Sequence, residues 1–154
     1  MSVLKEGDLA PAIKAKDENG DLITLEEYRG KKVVLYFYPR DNTPGCTAEA
    51  CDLRDNYSRF VDQGFEIIGV SADSEKSHSK FKSKHNLPFR LISDVDRKVL
   101  QDYGAWGEKK MYGKSFLGII RTTFIINEDG YVEKIIRKVK TKEHSKQIFA
   151  ELSH

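Results

Sequence analysis

The chain contains two cysteines, and they lie five residues apart in the segment PRDNTPGCTAEAC, residues 39–51. A thiolate is a nucleophile and a redox centre, so this pair could carry out thiol–disulfide chemistry. A structural zinc site needs four ligands, and two cysteines supply only half of them. The histidines show no metal-ligand spacing with each other or with the cysteines: His78, His85, His144 and His154. The pair therefore indicates redox or nucleophilic chemistry rather than a metal site.

Cys46 follows the apolar run VVLYFY, which predicts a strand buried on both faces, and it precedes a helical pattern. We therefore expect its sulfur in the first turn of a helix, at the carboxyl end of a strand, where α/β sheets bind ligands. The positive end of the helix dipole favours a thiolate there. Thr43 is close enough for its hydroxyl to bond the sulfur or a substrate oxygen, and Pro39 and Pro44 stiffen the loop. Position alone also allows a small buried apolar residue at Cys46.

Cys51 lies beyond Cys46 by a spacing that puts the two Cα atoms roughly 8.6 Å apart in an ideal helix. A disulfide needs Cα atoms within about 7 Å, so the two thiols cannot bond while that helix is intact. A structural disulfide would not require breaking the element that carries it, whereas a redox switch could. A pairing of Cys46 with His85, as in a cysteine hydrolase, is a weaker hypothesis, because any histidine in the chain offers it.

Strand patterns alternate with helical patterns along the chain. Strands are predicted at 33–38, 65–72, 90–94, 121–127 and 131–139, after an N-terminal strand or hairpin that turns at Asn19-Gly20. Helices are predicted at 47–62, 74–85, 95–103 and 141–152, with Ser74 or Asp73 as a helix N-cap. This order predicts an α/β fold in which helices flank a mixed central β-sheet, in one domain over residues 1–154.

The charge balance gives no reason to expect nucleic-acid or membrane partners, because 26 basic and 24 acidic residues leave a net charge of only +2. We expect no signal peptide, since the first residues lack an apolar core, and no membrane span. The expected location is therefore the cytoplasm, where a closely spaced cysteine pair is more often catalytic, redox-active or metal-binding than structural. The chain contains neither GxxxxGK[ST] nor GxGxxG, so no phosphate-binding loop is expected.

The cysteine segment resembles the active site of the peroxiredoxins, whose motif is P-x3-[TS]-x2-C. Pro39, Thr43 and Cys46 match its three fixed positions, and a second cysteine five residues later resembles the bacterioferritin-comigratory (peroxiredoxin Q) subgroup. The resemblance extends over nearly the whole chain, through the segments VVLYFYPRDNTPGCTAEAC, ADSEKSHSKF, LPFRLISD and GIIRTTFIIN.

This resemblance implies a thioredoxin-like fold and the reduction of hydrogen peroxide and organic hydroperoxides without metal, haem or other cofactor. It implies that Cys46 is the peroxidatic cysteine, that Cys51 is the resolving cysteine and that Arg121 approaches the sulfur from a neighbouring strand. A Cys46–Cys51 disulfide would then be reduced by thioredoxin or a similar dithiol protein. We expect a monomer or a weak dimer.

Three of the residues near this motif also have ordinary structural interpretations. Arg121 could be a surface charge on a strand, which is the commoner role of arginine. Glu49 could brace that arginine or cap the helix turn, or it could simply be a first-turn acid favoured by the helix dipole. Trp106 is interpreted as core or loop packing.

For the protein as a whole, the alternatives are a thioredoxin-like disulfide reductase, which the C-x4-C spacing disfavours, and a redox-gated binding protein or holdase.

Overall fold

The computed structural model describes residues 4–153, so His154 lies outside the described residues. Within that range the chain forms nine strands: β1 Lys14–Lys16, β2 Leu22–Thr24, β3 Lys32–Phe37, β4 Phe65–Ser71, β5 Arg90–Ser93, β6 Trp106–Met111, β7 Lys114–Ile119, β8 Thr122–Ile126 and β9 Val132–Ile136. Seven of them form one mixed sheet in the order β2-β1-β5-β4-β3-β8-β9, and β6 and β7 pair as a separate ribbon.

The helices are short, and all but the last lie between strands along the chain. They are α1 Pro44–Asp55, α2 Tyr57–Asp62, α3 Glu75–His85, α4 Lys98–Asp102 and α5 His144–Leu152, with 3-10 turns at Glu26–Tyr28 and Thr141–Glu143. The predicted class, an α/β fold with a mixed central sheet and an N-terminal hairpin, is confirmed. In the part of the chain that the structure describes, no helix is long and apolar enough to cross a membrane.

Strand β3 lies in the interior of the sheet, between β4 and β8, because its run of apolar side chains can be buried on both faces. It pairs parallel to β4 and antiparallel to β8. Leu35 and Phe37 belong to the cluster beneath α4, while Val34 and Tyr36 belong to the cluster beneath α1, α2, α3 and α5. Gly69 in β4 is required here, since an added Cβ would lie 2.9 Å from the Tyr36 ring. Tight packing on both faces fixes the end of β3 from which the loop to α1 begins.

The predicted helix over 47–62 is in fact two helices, and it begins earlier than expected. Pro44 occupies the first helical position, where its missing N–H costs nothing and its fixed φ suits the helix. Asn56 then separates α1 from α2. The N-cap at Ser74 is confirmed, because its hydroxyl oxygen accepts a hydrogen bond from the N–H of Ser77.

Two other regions differ from the sequence prediction. The helix predicted at 95–103 is reduced to α4, because Arg97 adopts φ +63° and the Asp94 carboxylate accepts the N–H groups of Val99 and Leu100. The ribbon of β6 and β7 was not predicted at all. Trp106 begins that ribbon, where it packs against the apolar cluster and under the guanidinium of Arg97.

Candidate active site

The loop between β3 and α1 is held by a buried polar network centred on Asp41. Its carboxylate accepts a hydrogen bond from the Tyr38 hydroxyl and lies 2.7 Å from Nδ1 of His78. The other ring nitrogen of His78 lies 2.8 Å from the Ile92 carbonyl oxygen. Both ring nitrogens therefore face acceptors, which suits a protonated imidazole. Burial lowers the pKa of His78, but the hydrogen bond and charge of Asp41, together with the bond to Ile92 and the charge of Asp73, outweigh burial, so the pKa is raised.

A second carboxylate, that of Asp73 between β4 and α3, lies next to this network. Oxygen and nitrogen atoms of Asp41, Asp73 and His78 lie within 4.8 Å of one another, as in many metal sites. Hydrogen bonds within the protein account for the arrangement, since the Asp73 carboxylate accepts the N–H of Asp41 and the hydroxyl of Ser71. Sequence reasoning missed this network, because its members come from three separate segments.

Thr43 precedes α1 in an extended conformation, and its carbonyl accepts the N–H of Thr47 at 2.8 Å. Its hydroxyl donates to the Arg40 carbonyl at 2.9 Å rather than to the Cys46 sulfur. The expected bond from Thr43 to the sulfur is therefore not the one that forms, but the hydroxyl oxygen keeps lone pairs with which it can accept. Pro39 lies in the same loop and is partly buried.

Cys46 lies in the first turn of α1, as predicted, and is only 1% exposed. It packs with the apolar cluster of Val34 and Tyr36, yet Nη2 of Arg121 donates to its sulfur at 3.3 Å. Arg121 comes just before β8, and the pairing of Phe37 with Thr122 brings the end of β3 beside it. A cysteine that served only as a small apolar residue would not need a guanidinium at its sulfur, so this contact argues against that interpretation.

Glu49 is completely buried and binds the guanidinium of Arg121. One carboxylate oxygen accepts from Nη1 of Arg121 at 2.6 Å. The other oxygen has no hydrogen-bond partner among the described residues and lies 3.5 Å from Nε2 of His144. Burial raises the pKa of Glu49 to about 7, although the Arg121 charge opposes this. Glu49 therefore contacts the arginine directly, as the bracing interpretation, one of three left open by the sequence, expects.

His144 explains why the second oxygen of Glu49 has no partner. Gln147 is oriented by the Lys138 carbonyl and the Lys140 N–H, so its side-chain oxygen faces Nδ1 of His144 at 3.0 Å. Nδ1 must then carry the proton, and Nε2 accepts from the Thr123 hydroxyl at 2.7 Å. Burial lowers the pKa of His144 to about 4, which keeps the ring neutral. The ring therefore has no proton at Nε2 to donate to Glu49, and the second oxygen of that carboxyl is left without a donor.

Cys51 lies on the same helix but shares no hydrogen-bonding partner with Cys46. Its sulfur is partly exposed and lies 3.8 Å from Nδ1 of His85, at the end of α3. Both cysteines are free thiols in this structure. The structure thus pairs His85 with Cys51, and the cysteine-hydrolase hypothesis, which paired His85 with Cys46, has the wrong partner. Neither the Cys51–His85 contact nor the His144 contact carries a sequence signal.

Comparisons with known proteins point to one family. The family described as AhpC/TSA matches residues 7–135. Peroxiredoxin Bcp of Bacillus subtilis (strain 168) is 49% identical over 138 residues, which cover 90% of this chain and 88% of the relative.

Two solved structures of bacterial proteins are also similar to this chain in sequence and fold. The bacterioferritin comigratory protein of Xanthomonas campestris, in a study of its alkyl peroxide reduction activity, superposes with a TM-score of 0.85 at 39% identity, covering 92% of this chain and 90% of the other. A cysteine-to-serine mutant of PrxQ from Xylella fastidiosa gives a TM-score of 0.91 at 31% identity, covering 99% and 98% of the two chains.

Proposed function

The chain belongs to the AhpC/TSA family and is a peroxiredoxin of the Bcp type, and from this premise we propose the roles of its site residues. Its fold is thioredoxin-like, and its activity is that of a thiol peroxidase, which consumes peroxides at the expense of a thiol reductant. The observation that carries the residue assignment is the Arg121 guanidinium on the sulfur of Cys46, in the first turn of α1.

In the first step, the Cys46 thiolate attacks the terminal oxygen of a hydroperoxide. An S–O bond forms, the O–O bond breaks, and the departing alkoxide or hydroxide takes up a proton to become an alcohol or water. Cys46 is left as a sulfenic acid. Arg121 favours the thiolate by its fixed charge and can donate to a peroxide oxygen, while Glu49 holds the guanidinium in place.

The start of α1 supplies the remaining contacts to the peroxide. The first helical hydrogen bond runs from the Thr47 N–H to the Thr43 carbonyl, so the N–H groups of Gly45 and Cys46 precede it. They can stabilise the negative charge that develops on the leaving oxygen. Because the Thr43 hydroxyl donates to Arg40, it acts on the peroxide as an acceptor of the O–H proton. Pro39 and Pro44 keep this loop rigid.

In the second step, the start of α1 unwinds and Cys51 attacks the sulfenic sulfur as a thiolate. An S–S bond forms, the S–O bond breaks, and hydroxide leaves and is protonated to water. The Cys46–Cys51 disulfide is then reduced by exchange with a dithiol protein, for which we propose thioredoxin or a similar reductant. We propose a monomer or weak dimer in the cytoplasm, whose reducing conditions suit such a cycle.

The test is peroxide consumption coupled to thioredoxin, its reductase and NADPH, with an insulin-reduction assay alongside. Wild type should turn over many equivalents of peroxide while reducing insulin poorly, and Cys46→Ser should lose this peroxide turnover. Stoichiometric oxidation without turnover would favour a redox-gated binding protein instead, and rapid insulin reduction without peroxide consumption would favour a disulfide reductase.

A further inference from the structure

His85 is fixed between α1 and α3 independently of Cys51. It is the last residue of α3, and its ring packs edge-on against Phe81 with 5.2 Å between ring centres. Its carbonyl oxygen accepts from the Arg54 guanidinium at 2.8 Å, which ties the end of α3 to the later part of α1. The ring therefore stays in place whether or not Cys51 lies beside it.

The protonation of His85 follows from what each ring nitrogen meets. Nε2 is buried and has no hydrogen-bond partner among the described residues. A buried N–H without a partner is rarer than a buried acceptor without one, so the proton belongs on Nδ1. Burial and the charges of Lys84 and Arg54 lower the pKa of His85, so the ring is neutral. Its one polar N–H thus faces the Cys51 sulfur at 3.8 Å.

We propose that His85 is a positioning residue that retains Cys51 in the helical, peroxide-reactive state, and that its hydrogen bond to the Cys51 sulfur limits how readily α1 opens for the resolving step. The proposal rests on the proposed function in one respect, namely that Cys51 is the resolving cysteine. The contact exists only while α1 is intact, because a disulfide with Cys46 moves Cys51 away from the fixed ring. An interaction made in one state alone stabilises that state.

This hydrogen bond would set the balance between two fates of the Cys46 sulfenic acid. The sulfenic acid either condenses with Cys51 to a disulfide, releasing water, or is oxidised by a second peroxide to the sulfinic acid. A weaker hydrogen bond at Cys51 makes the open state more populated and the first fate faster. His85 would thus slow disulfide formation and lengthen the lifetime of the helical state at the peroxidatic site.

The experiment measures disulfide formation after one equivalent of peroxide, by rapid quenching, alkylation and mass spectrometry. His85→Leu should form the disulfide about 2- to 10-fold faster, the worth of one net hydrogen bond, and should be less sensitive to over-oxidation. The rate of the first reaction with peroxide should not change. Two further variants separate hydrogen bonding from packing, since both lose the ring: His85→Asn keeps an N–H near the position of Nδ1, whereas His85→Gln places it near Nε2.

His85→Asn should therefore form the disulfide at the wild-type rate, and His85→Gln should behave like His85→Leu. Equal rates in wild type and all three variants would overturn the proposal, and so would equal acceleration by Asn and Gln, which would assign the effect to the ring. In a Cys51→Ala background, His85→Leu should leave hydrogen exchange of α1 unchanged. A wild type that consumes peroxide without forming the disulfide would instead overturn the role of Cys51, and the positioning role with it.

Discussion

Cys46 and Cys51 lie on one helix, yet the protein holds them in different ways. Cys46 is buried beside a guanidinium, and that guanidinium is itself held by the buried carboxyl of Glu49. Cys51 is partly exposed and meets a single neutral imidazole at a longer distance. The first environment is charged and preorganised, which suits a nucleophile that must react in place. The second environment holds its cysteine only weakly, which suits a thiol that must move away from its position on the helix to reach Cys46.

The rest of α1 shows where the movable part of the helix ends. The Asp52 carboxylate accepts the N–H of Ser145 in α5 at 2.6 Å, and its carbonyl accepts hydrogen bonds from the side chains of Ser145 and Asn56. Leu53 is fully buried in the core. We therefore expect unwinding to extend from Pro44 to Cys51 and to stop at Asp52. Opening a few hydrogen bonds at about 0.5–1.5 kcal/mol each is within the reach of disulfide formation.

The largest effect should come from exchanging each sulfur for oxygen. Cys46→Ser should lower peroxide consumption on the order of 10³-fold or more, because the nucleophile itself is lost. Cys51→Ser is the matched control, since it removes the other thiol of the same helix. It should react once with peroxide at the wild-type rate and then accumulate sulfinic acid or await an external thiol. Stopped-flow kinetics and mass spectrometry of the two variants would check this. Similar first-step rates in Cys46→Ser and Cys51→Ser would contradict the assignment of different roles to the two cysteines.

A smaller effect is expected at the arginine that distinguishes the two environments. Arg121→Ala should lower the peroxide rate constant on the order of 10²-fold, since one charge-assisted donor to the reacting centre is lost. Arg137→Ala, which removes an exposed arginine after β9, is the control and should react normally. The resolving step of Arg121→Ala should keep its rate. A folded Arg121→Ala protein with the wild-type peroxide rate would show that the guanidinium does not act on Cys46.

The smallest effect concerns the pH dependence of stability. The fold raises the pKa of Glu49 from 4.5 to about 7, so its stabilising contribution is complete below pH 4.5 and is lost as the pH rises through about 7. Glu49→Gln cannot ionise and should escape this loss. Relative to wild type, its unfolding free energy should therefore gain about 1–3 kcal/mol between pH 4.5 and pH 8. Urea unfolding at several pH values measures the difference, and parallel curves would contradict the assignment.

The sequence predicted the parts of this site that a local pattern or a motif can carry. The apolar run before Cys46 predicted a buried strand, the spacing to Cys51 predicted two thiols on one helix, and the family resemblance indicated Arg121. Contacts that depend on packing between distant segments left no such trace. His85 lies 34 positions from Cys51, and His144 reaches Glu49 only because α5 covers the same face of the sheet as α1.

The apolar periodicity of the sequence also did not predict two irregular regions, the backbone at Arg97 and the ribbon of β6 and β7. Arg97 interrupts an otherwise helical sequence by adopting a left-handed conformation, which a non-glycine residue rarely does. The ribbon of β6 and β7 carries many exposed and charged side chains, so it lacks the apolar pattern of the buried strands.

The central claim is that α1 must open between the two cysteines for the enzyme to complete its cycle. Hydrogen exchange of residues 44–55, compared between the reduced protein and the protein with a confirmed Cys46–Cys51 disulfide, tests it most directly. We expect residues 44–51 to lose protection on oxidation, while residues from Asp52 onward stay protected by their contacts with α5 and the core. Equal protection of residues 44–51 in both redox states would show that the helix never opens, and would contradict the account.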